Sequence, residues 1–215
     1  MSIGKWGLVA LAVVVLVPLL VLASVSWIEQ RQARRNQVEA DGPCAAASRT
    51  AVIYYSRSGN TALAARHVAC RLGATLIALE APDYALGLRG LGRALQDARG
   101  ESARIAPTHV DLEAFDTVYL GSPVWLYSPA PPIWAFVTGQ RLDGKHVVLF
   151  NTYNSHFAPE YIAAFRDRVV AQGASSFEHR SVLRGRMTRQ LTREQMLRRI
   201  DQDWLPANAT PTPTH

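Results

Sequence analysis

AVIYYSRSGNT, residues 51–61, changes character halfway along. Ala51-Val52-Ile53-Tyr54-Tyr55 is apolar or aromatic and rich in β-formers, without a polar break. That is expected of a strand buried on both faces of a parallel sheet. Ser56-Arg57-Ser58-Gly59-Asn60-Thr61 then supplies hydroxyls, a glycine, an amide and a single cation, and from Thr61 the sequence turns helical in TALAARHVACRLG. The order is strand, polar loop, helix.

Such an order has a physical use. The first turn of a helix leaves backbone N–H groups unpaired and carries partial positive charge, so an anion is held there. A loop of Ser, Gly, Asn and Thr suits a terminal phosphate wrapped by neutral donors. It does not suit a triphosphate with magnesium, because no Lys follows Gly59 as G-x-x-x-x-G-K-[ST] would require. The competing reading is that Ser58 or Asn60 simply caps a helix.

Outward from this loop, apolar runs alternate with helical patterns. Residues 74–79 read as a second strand that Pro82 ends, and residues 83–107 carry a basic amphipathic helix through Leu88, Leu91 and Leu95. Residues 117–120 make a third strand, which Gly121 and Pro123 are expected to turn out of the sheet. Trp125 then arrives just past the carboxyl end of that strand, the edge where open α/β sheets bind ligands. There it can stack on a flat ring, a contact worth about 1 kcal/mol beyond area burial, or merely cover the sheet end. Residues 145–150 read as a fourth strand, Pro159 opens a helix to 171, residues 176–183 form a wetter edge strand, and Thr192-x-x-Gln195 is a capping box for a last helix to 204. Strands alternating with helices specify a parallel sheet covered on both faces.

YYSRSGNT resembles the phosphate loop of flavodoxin-like proteins, and GSPVWLYSPAPP at 121–132 and LDGKHVVLFNTYNS at 142–155 fall where that family places its two isoalloxazine loops. The likeness covers residues 50–204. It implies an α/β, doubly wound, five-stranded parallel sheet of order 2-1-3-4-5, a geometry that is the family's own and comes with the resemblance. It implies flavin mononucleotide (FMN) as cofactor, with Ser56, Arg57, Ser58, Gly59, Asn60 and Thr61 at the phosphate. Ser122, Pro123, Val124 and Trp125 would flank the ring, and Asn151, Thr152, Tyr153 and Asn154 would meet its polar edge. The last loop departs from the family in having no glycine. A response regulator would need an acidic residue where Ser56 or Gly121 stands, and a low-molecular-weight phosphatase a C-x-x-x-x-x-R loop.

At the other end of the chain, no charge interrupts residues 6–28, which is long enough to cross a bilayer core, and Trp6 and Trp27 stand at its two ends as interface anchors do. A cleaved signal peptide, with Val21-Leu22-Ala23 as the cleavage site, competes with an uncleaved anchor; an h-region is usually shorter, which favours the anchor. Arg31, Arg34 and Arg35 outnumber Lys5, so the expectation is a single-pass protein of the inner (plasma) membrane with its large domain in the cytoplasm. The organisation expected is an anchor at 1–28, a juxtamembrane linker at 29–49 broken by Gly42-Pro43, the α/β domain at 50–204 and a Pro/Thr-rich disordered tail at 205–215.

The formal charge is +6, and flavodoxin carriers are typically acidic. Arginines between 184 and 199, Arg184 among them, suit anionic headgroups; no nucleic-acid motif accompanies them. Six histidines are scattered without H-x-x-x-H or C-x-x-C spacing, so no metal site is expected. Of the two cysteines, Cys44 and Cys70, the second reads as a buried thiol. The functional expectation is electron transfer through FMN. The alternatives are an FMN-dependent NAD(P)H:quinone-type reductase and a tethered, non-catalytic binding domain. No residue is assigned as catalytic.

Overall fold

The computed structural model describes residues 3–37, 46–185 and 189–205. Gly42-Pro43 and nearly all of the expected tail lie outside the described residues.

Helix α1, Ile3–Gln37, is one continuous rod of about 50 Å at 1.5 Å per residue. Its segment Val9–Arg35 contains a window of mean hydropathy 2.8, of which only 6% is buried, so this is not the core helix of a globular domain. Residues 29–37, expected as linker, are helical instead. They are held by the domain: Ser26 and Ala33 are buried, Glu29 is half-buried, and Gln32 Nε2 donates to Gln190 Oε1 over 2.6 Å.

Strand β1, Thr50–Tyr55, lies inside the sheet. Helix α2, Asn60–Leu72, leads to β2, Thr75–Leu79, and a short turn leads to α3, Leu88–Asp97. Next come β3, Thr117–Trp125, a two-residue β4, Ser128–Pro129, and α4, Pro131–Thr138. β5, His146–Tyr153, α5, Pro159–Ala171, β6, Ser176–Leu183, and α6, Arg193–Trp204, complete the chain. The strand order is β2-β1-β3-β5-β6, parallel throughout, with β4 paired antiparallel to β3. This is the 2-1-3-4-5 arrangement with one small hairpin added.

Two cores sandwich the sheet. Ile53, Leu120 and Leu149 face α3, α4 and α5 through Ala94, Ile133, Phe136 and Phe165. Val52, Val148 and Phe150 face α2 and α6 through Val68, Met196 and Ile200. Alternate residues of each strand thus supply opposite cores, which is why these strands read as unbroken apolar runs. The Thr192–Gln195 capping box is formed in both directions.

Two expectations are corrected. The third strand does not leave the sheet at Gly121 but continues to Trp125; a Cβ on Gly121 would lie 2.3 Å from the Phe150 ring and 2.8 Å from Tyr54 Cβ, so the glycine is there for close packing inside the sheet. The chain turns back only at Leu126 and Tyr127, both at positive φ (41° and 81°). Cys70 is exposed and disulfide-bonded rather than a buried thiol; the chain's other cysteine, Cys44, lies outside the described residues.

Candidate functional site

The carboxyl ends of β1, β3 and β5 meet at one edge of the sheet. There the chain leaves β1 through Ser56 and enters α2 at Gly59, whose φ of 86° is left-handed and comfortable only for glycine. Gly59 N–H donates to Ser56 Oγ over 3.1 Å, closing the loop. The N-cap position itself is Gly59, which has no side chain to offer the helix end. The amides of the first helical turn have no acceptor within the helix.

A cleft of about 140 Å³ lies over this turn. Ser56, Ser58, Asn60 and Thr61 line it from the loop, Pro123, Val124 and Trp125 from β3, and Thr152, Tyr153 and Asn154 from β5. Thr61 and Thr152, both buried, share a hydrogen bond between their hydroxyls at 2.8 Å, tying the helix start to the end of β5. Larger cavities exist, one of 810 Å³ along α3 among them, but that one does not reach the loop.

Trp125 is fixed edge-on against Tyr55 at 5.7 Å and Tyr84 at 5.2 Å, and those two rings meet each other at 6.5 Å. The tryptophan therefore covers the sheet end and walls the cleft at once. Burial raises both phenols, Tyr84 to about 12, so this wall is neutral at physiological pH.

Three of the expected residues stand elsewhere. Ser122 and Asn151 pair in register inside the sheet, one step short of the edge, and both are fully buried. The Asn151 amide donates to Ser122 O over 3.0 Å, and its Oδ1 accepts from His179 Nε2 at 2.9 Å. Ser122 Oγ accepts from Ala130 N–H and donates to Pro123 O, both over 2.9 Å. These groups pin β3, β5 and β6 together. Burial lowers His179 to about 4, which keeps the ring neutral, and the Asn151 Oδ1 acceptor selects the tautomer with the proton on Nε2. Arg57 lines the cleft, but its guanidinium is already occupied, donating to Tyr84 O (3.1 Å) and Gly87 O (3.2 Å) and pairing with Glu29 of α1.

The cation that the site does hold is Arg184, the residue immediately after β6. It lines the cleft, is only 8% exposed, and reaches Asn60 Oδ1 with Nε at 3.4 Å. Among the described residues its buried Nη1 has no hydrogen-bond partner. Burial first, and Arg193 second, lower its pKa from the usual 12.5. A buried guanidinium nitrogen without an acceptor is costly unless something negative comes to it. Sequence reasoning placed Arg184 in a surface run of arginines; its position one residue past a strand end was the signal that it reaches the ligand edge. Glu29, which also lines the cleft, was legible only as the first charge after an apolar segment.

A doubly wound parallel sheet with a polar, phosphate-sized cradle after its first strand defines the class of flavodoxin folds. Residues 49–193 match the family model described as flavodoxin, and the chain belongs to that family. Among solved structures, a Bacteroides uniformis protein aligns at 19% identity over 72% of this chain and 98% of its own, with a TM-score of 0.55. A flavoprotein from Lactobacillus acidophilus, solved in complex with FMN, aligns at 22% identity over 62% and 93%, with a TM-score of 0.51. No curated protein matches the chain.

Proposed function

We propose that this protein is an FMN-binding flavodoxin tethered to a membrane by α1 and that it works in electron transfer. The observation that carries the reading is the Nη1 of Arg184, buried without a hydrogen-bond partner among the described residues, on a side chain that reaches Asn60 at the first turn of α2. A phosphate satisfies both. Ser56, Ser58, Asn60, Thr61 and the α2 amides would hold it by hydrogen bonds, with Arg184 supplying opposite charge. Trp125, with Pro123 and Val124, would lie against the ring, and Thr152 to Asn154 would meet its polar edge. Bound FMN supplies one- or two-electron redox chemistry, while these residues supply position, exclusion of water and electrostatics. The neutral Tyr55–Tyr84–Trp125 wall offers an aromatic flank that adds no charge next to the ring. The FMN complex of the Lactobacillus acidophilus flavoprotein supports the choice of cofactor.

The test is the visible spectrum of the full chain purified in detergent. Flavin absorption bands, or their appearance with a tight end point on titration with FMN, are expected; a colourless protein that ignores FMN leaves the tethered binding domain as the reading. Steady-state oxidation of NADH and NADPH by the loaded protein, with and without a quinone, separates reductase from carrier.

The disulfide at Cys70 favours placing the domain on the oxidising side of the membrane, against the small charge bias of Arg31, Arg34 and Arg35 over Lys5. Accessibility of the domain to added protease in intact cells decides between the two sides.

A further inference from the structure

The helix that enters the membrane and the domain that leaves it are in contact at the boundary itself. Trp27 is exposed, with Arg31 lying 5.1 Å over its ring, whereas Ser26, one residue earlier, is already buried against the domain. A tryptophan with the first charges directly after it marks the bilayer interface. Glu29, two residues on, shares a cavity with Leu95 of α3 and with Leu126. Helix α3 packs against α1 at this level. The headgroup layer adds only about 5–8 Å to each side of the hydrocarbon core, so side chains neighbouring Glu29 fall within it.

What α3 presents there is not an ordinary surface. Outside α1, the large apolar side chains exposed among the described residues are Leu86, Leu88, Leu95, Leu126, Tyr127, Val170 and Leu183. The first five belong to α3, to the turn before it and to the turn after β3. Leu88 and Leu95 stand at i and i+7, with Gly92 between them and Arg99 one turn beyond, a single exposed stripe roughly a third of a turn round the helix from the buried Gly90, Leu91 and Ala94. Arg99 joins this stripe to the turn, donating to Leu126 O over 3.4 Å and lying 5.9 Å over the Tyr127 ring. Arg89 and Arg93, both exposed, border the leucines on one side, Arg93 with its Nε paired to Asp97 of the same helix at 2.8 Å and its other guanidinium nitrogens toward the surface. Leucines in a row with arginines at their margin is the composition of a helix that lies in a membrane interface, apolar side down and cations at the headgroups.

We propose that the face made by α3 and the Leu126–Tyr127 turn rests on an anionic bilayer surface, with Leu88, Leu95 and Leu126 in the headgroup region and Arg89, Arg93 and Arg99 on lipid phosphates. The proposal rests on the reading that α1 spans the membrane. It adds that the domain is not free on its tether but docked, and that the Trp125 wall, whose side chain lines the same cavity as Leu95 and Leu126, is held at headgroup level. A redox partner dissolved in the bilayer then meets the site without leaving it.

The test uses the full chain in nanodiscs of phosphatidylcholine, with and without about one third phosphatidylglycerol. An environment-sensitive fluorescent side chain replaces Leu16, Leu95, Leu126 or Val170 in turn, and lipids brominated near the headgroup or deep in the chain serve as quenchers. Deep bromine quenches position 16 if α1 spans the bilayer. Headgroup-level bromine is expected to quench positions 95 and 126 about twofold in the anionic discs and to leave position 170 unchanged. Arg89→Glu with Arg93→Glu is expected to abolish the quenching at 95 and 126 while position 16 stays quenched. Quenching at 16 with none at 95 and 126 overturns the docking while keeping the anchor, and assigns the stripe to a protein partner. Equal quenching in neutral and anionic discs overturns the role given to the arginines. No quenching at 16 removes the spanning helix and the docking with it.

Discussion

Two loops at the same sheet edge each bring one arginine to the cleft, and the two are met by different partners there. Arg57, inside the polar loop after β1, is the cation that local sequence assigns to a phosphate. Its guanidinium, on a side chain only 4% exposed, is instead already taken up by two carbonyls and Glu29 of α1. Arg184, at the far end of the sheet, turns inward with one nitrogen unsatisfied. The difference teaches that the charge in this site is set by which neighbour already neutralises which arginine. Arg57 has its carboxylate and its acceptors. Arg184 has an amide oxygen, another arginine nearby, and a first-turn helix end in front of it.

If that division is right, Arg57 is an element of stability and Arg184 an element of binding, and substitutions should separate them. The largest effect is expected at Arg57→Ala. It strips Tyr84 O, Gly87 O and Glu29 of their buried partner and should lower unfolding free energy by about 3 kcal/mol in chemical denaturation. FMN affinity per folded molecule should stay within about threefold, since no charge-assisted contact to the phosphate is lost. A large affinity loss without a stability loss would reverse the assignment.

Arg184→Gln should do the opposite. Loss of one charge-assisted bond to a phosphate is worth about 2 kcal/mol, or about 30-fold in the Kd for FMN, read by flavin fluorescence titration. Riboflavin, which has no phosphate, should bind equally to both forms. Without flavin the variant should be as stable as the parent or slightly more so, because a buried cation without a counter-ion has been removed. Equal loss for FMN and riboflavin would take Arg184 away from the phosphate.

The smallest effect belongs to the third polar group near this edge, His179, which the geometry makes purely structural. Its folded pKa of about 4 lies below the ordinary 6.5, so between those values the unfolded chain binds a proton that the folded one refuses. Stability should therefore fall as pH drops from about 6.5 to about 4, by about 1 kcal/mol once the shift is discounted for the ring's partial exposure. His179→Gln, which keeps a donor toward Asn151, should flatten that slope in thermal melts across the range.

Much of the sheet was legible because burial on both faces leaves an unbroken apolar mark on each strand, and because Gly59, Pro159 and the Thr192–Gln195 pair carry local chemistry that tertiary contacts did not override. Gly121 misled for a definite reason: a glycine that ends a strand and a glycine that makes room for a ring look alike until Phe150 is seen above it. Asn151 misled similarly, since a polar residue after an apolar run suggests a loop, whereas here its amide finds Ser122 O and His179 within the sheet. The helical run through residues 29–37 was read as linker because polar, charged residues next to an apolar span carry no sign of the surface that will hold them.

By itself the sequence determined the alternation of strands and helices, the anion-ready turn after the first strand and the apolar helix ahead of the domain, because each is written in neighbours along the chain. Only the tertiary structure decided which arginine at the cleft is already neutralised, which polar side chains knit the sheet and how α1 lies on the domain. Those outcomes depend on partners 27 to 158 positions away in sequence, as the Arg57–Tyr84 and Gln32–Gln190 contacts illustrate, and burial makes a charge or an amide choose among such partners only once the chain has closed around it.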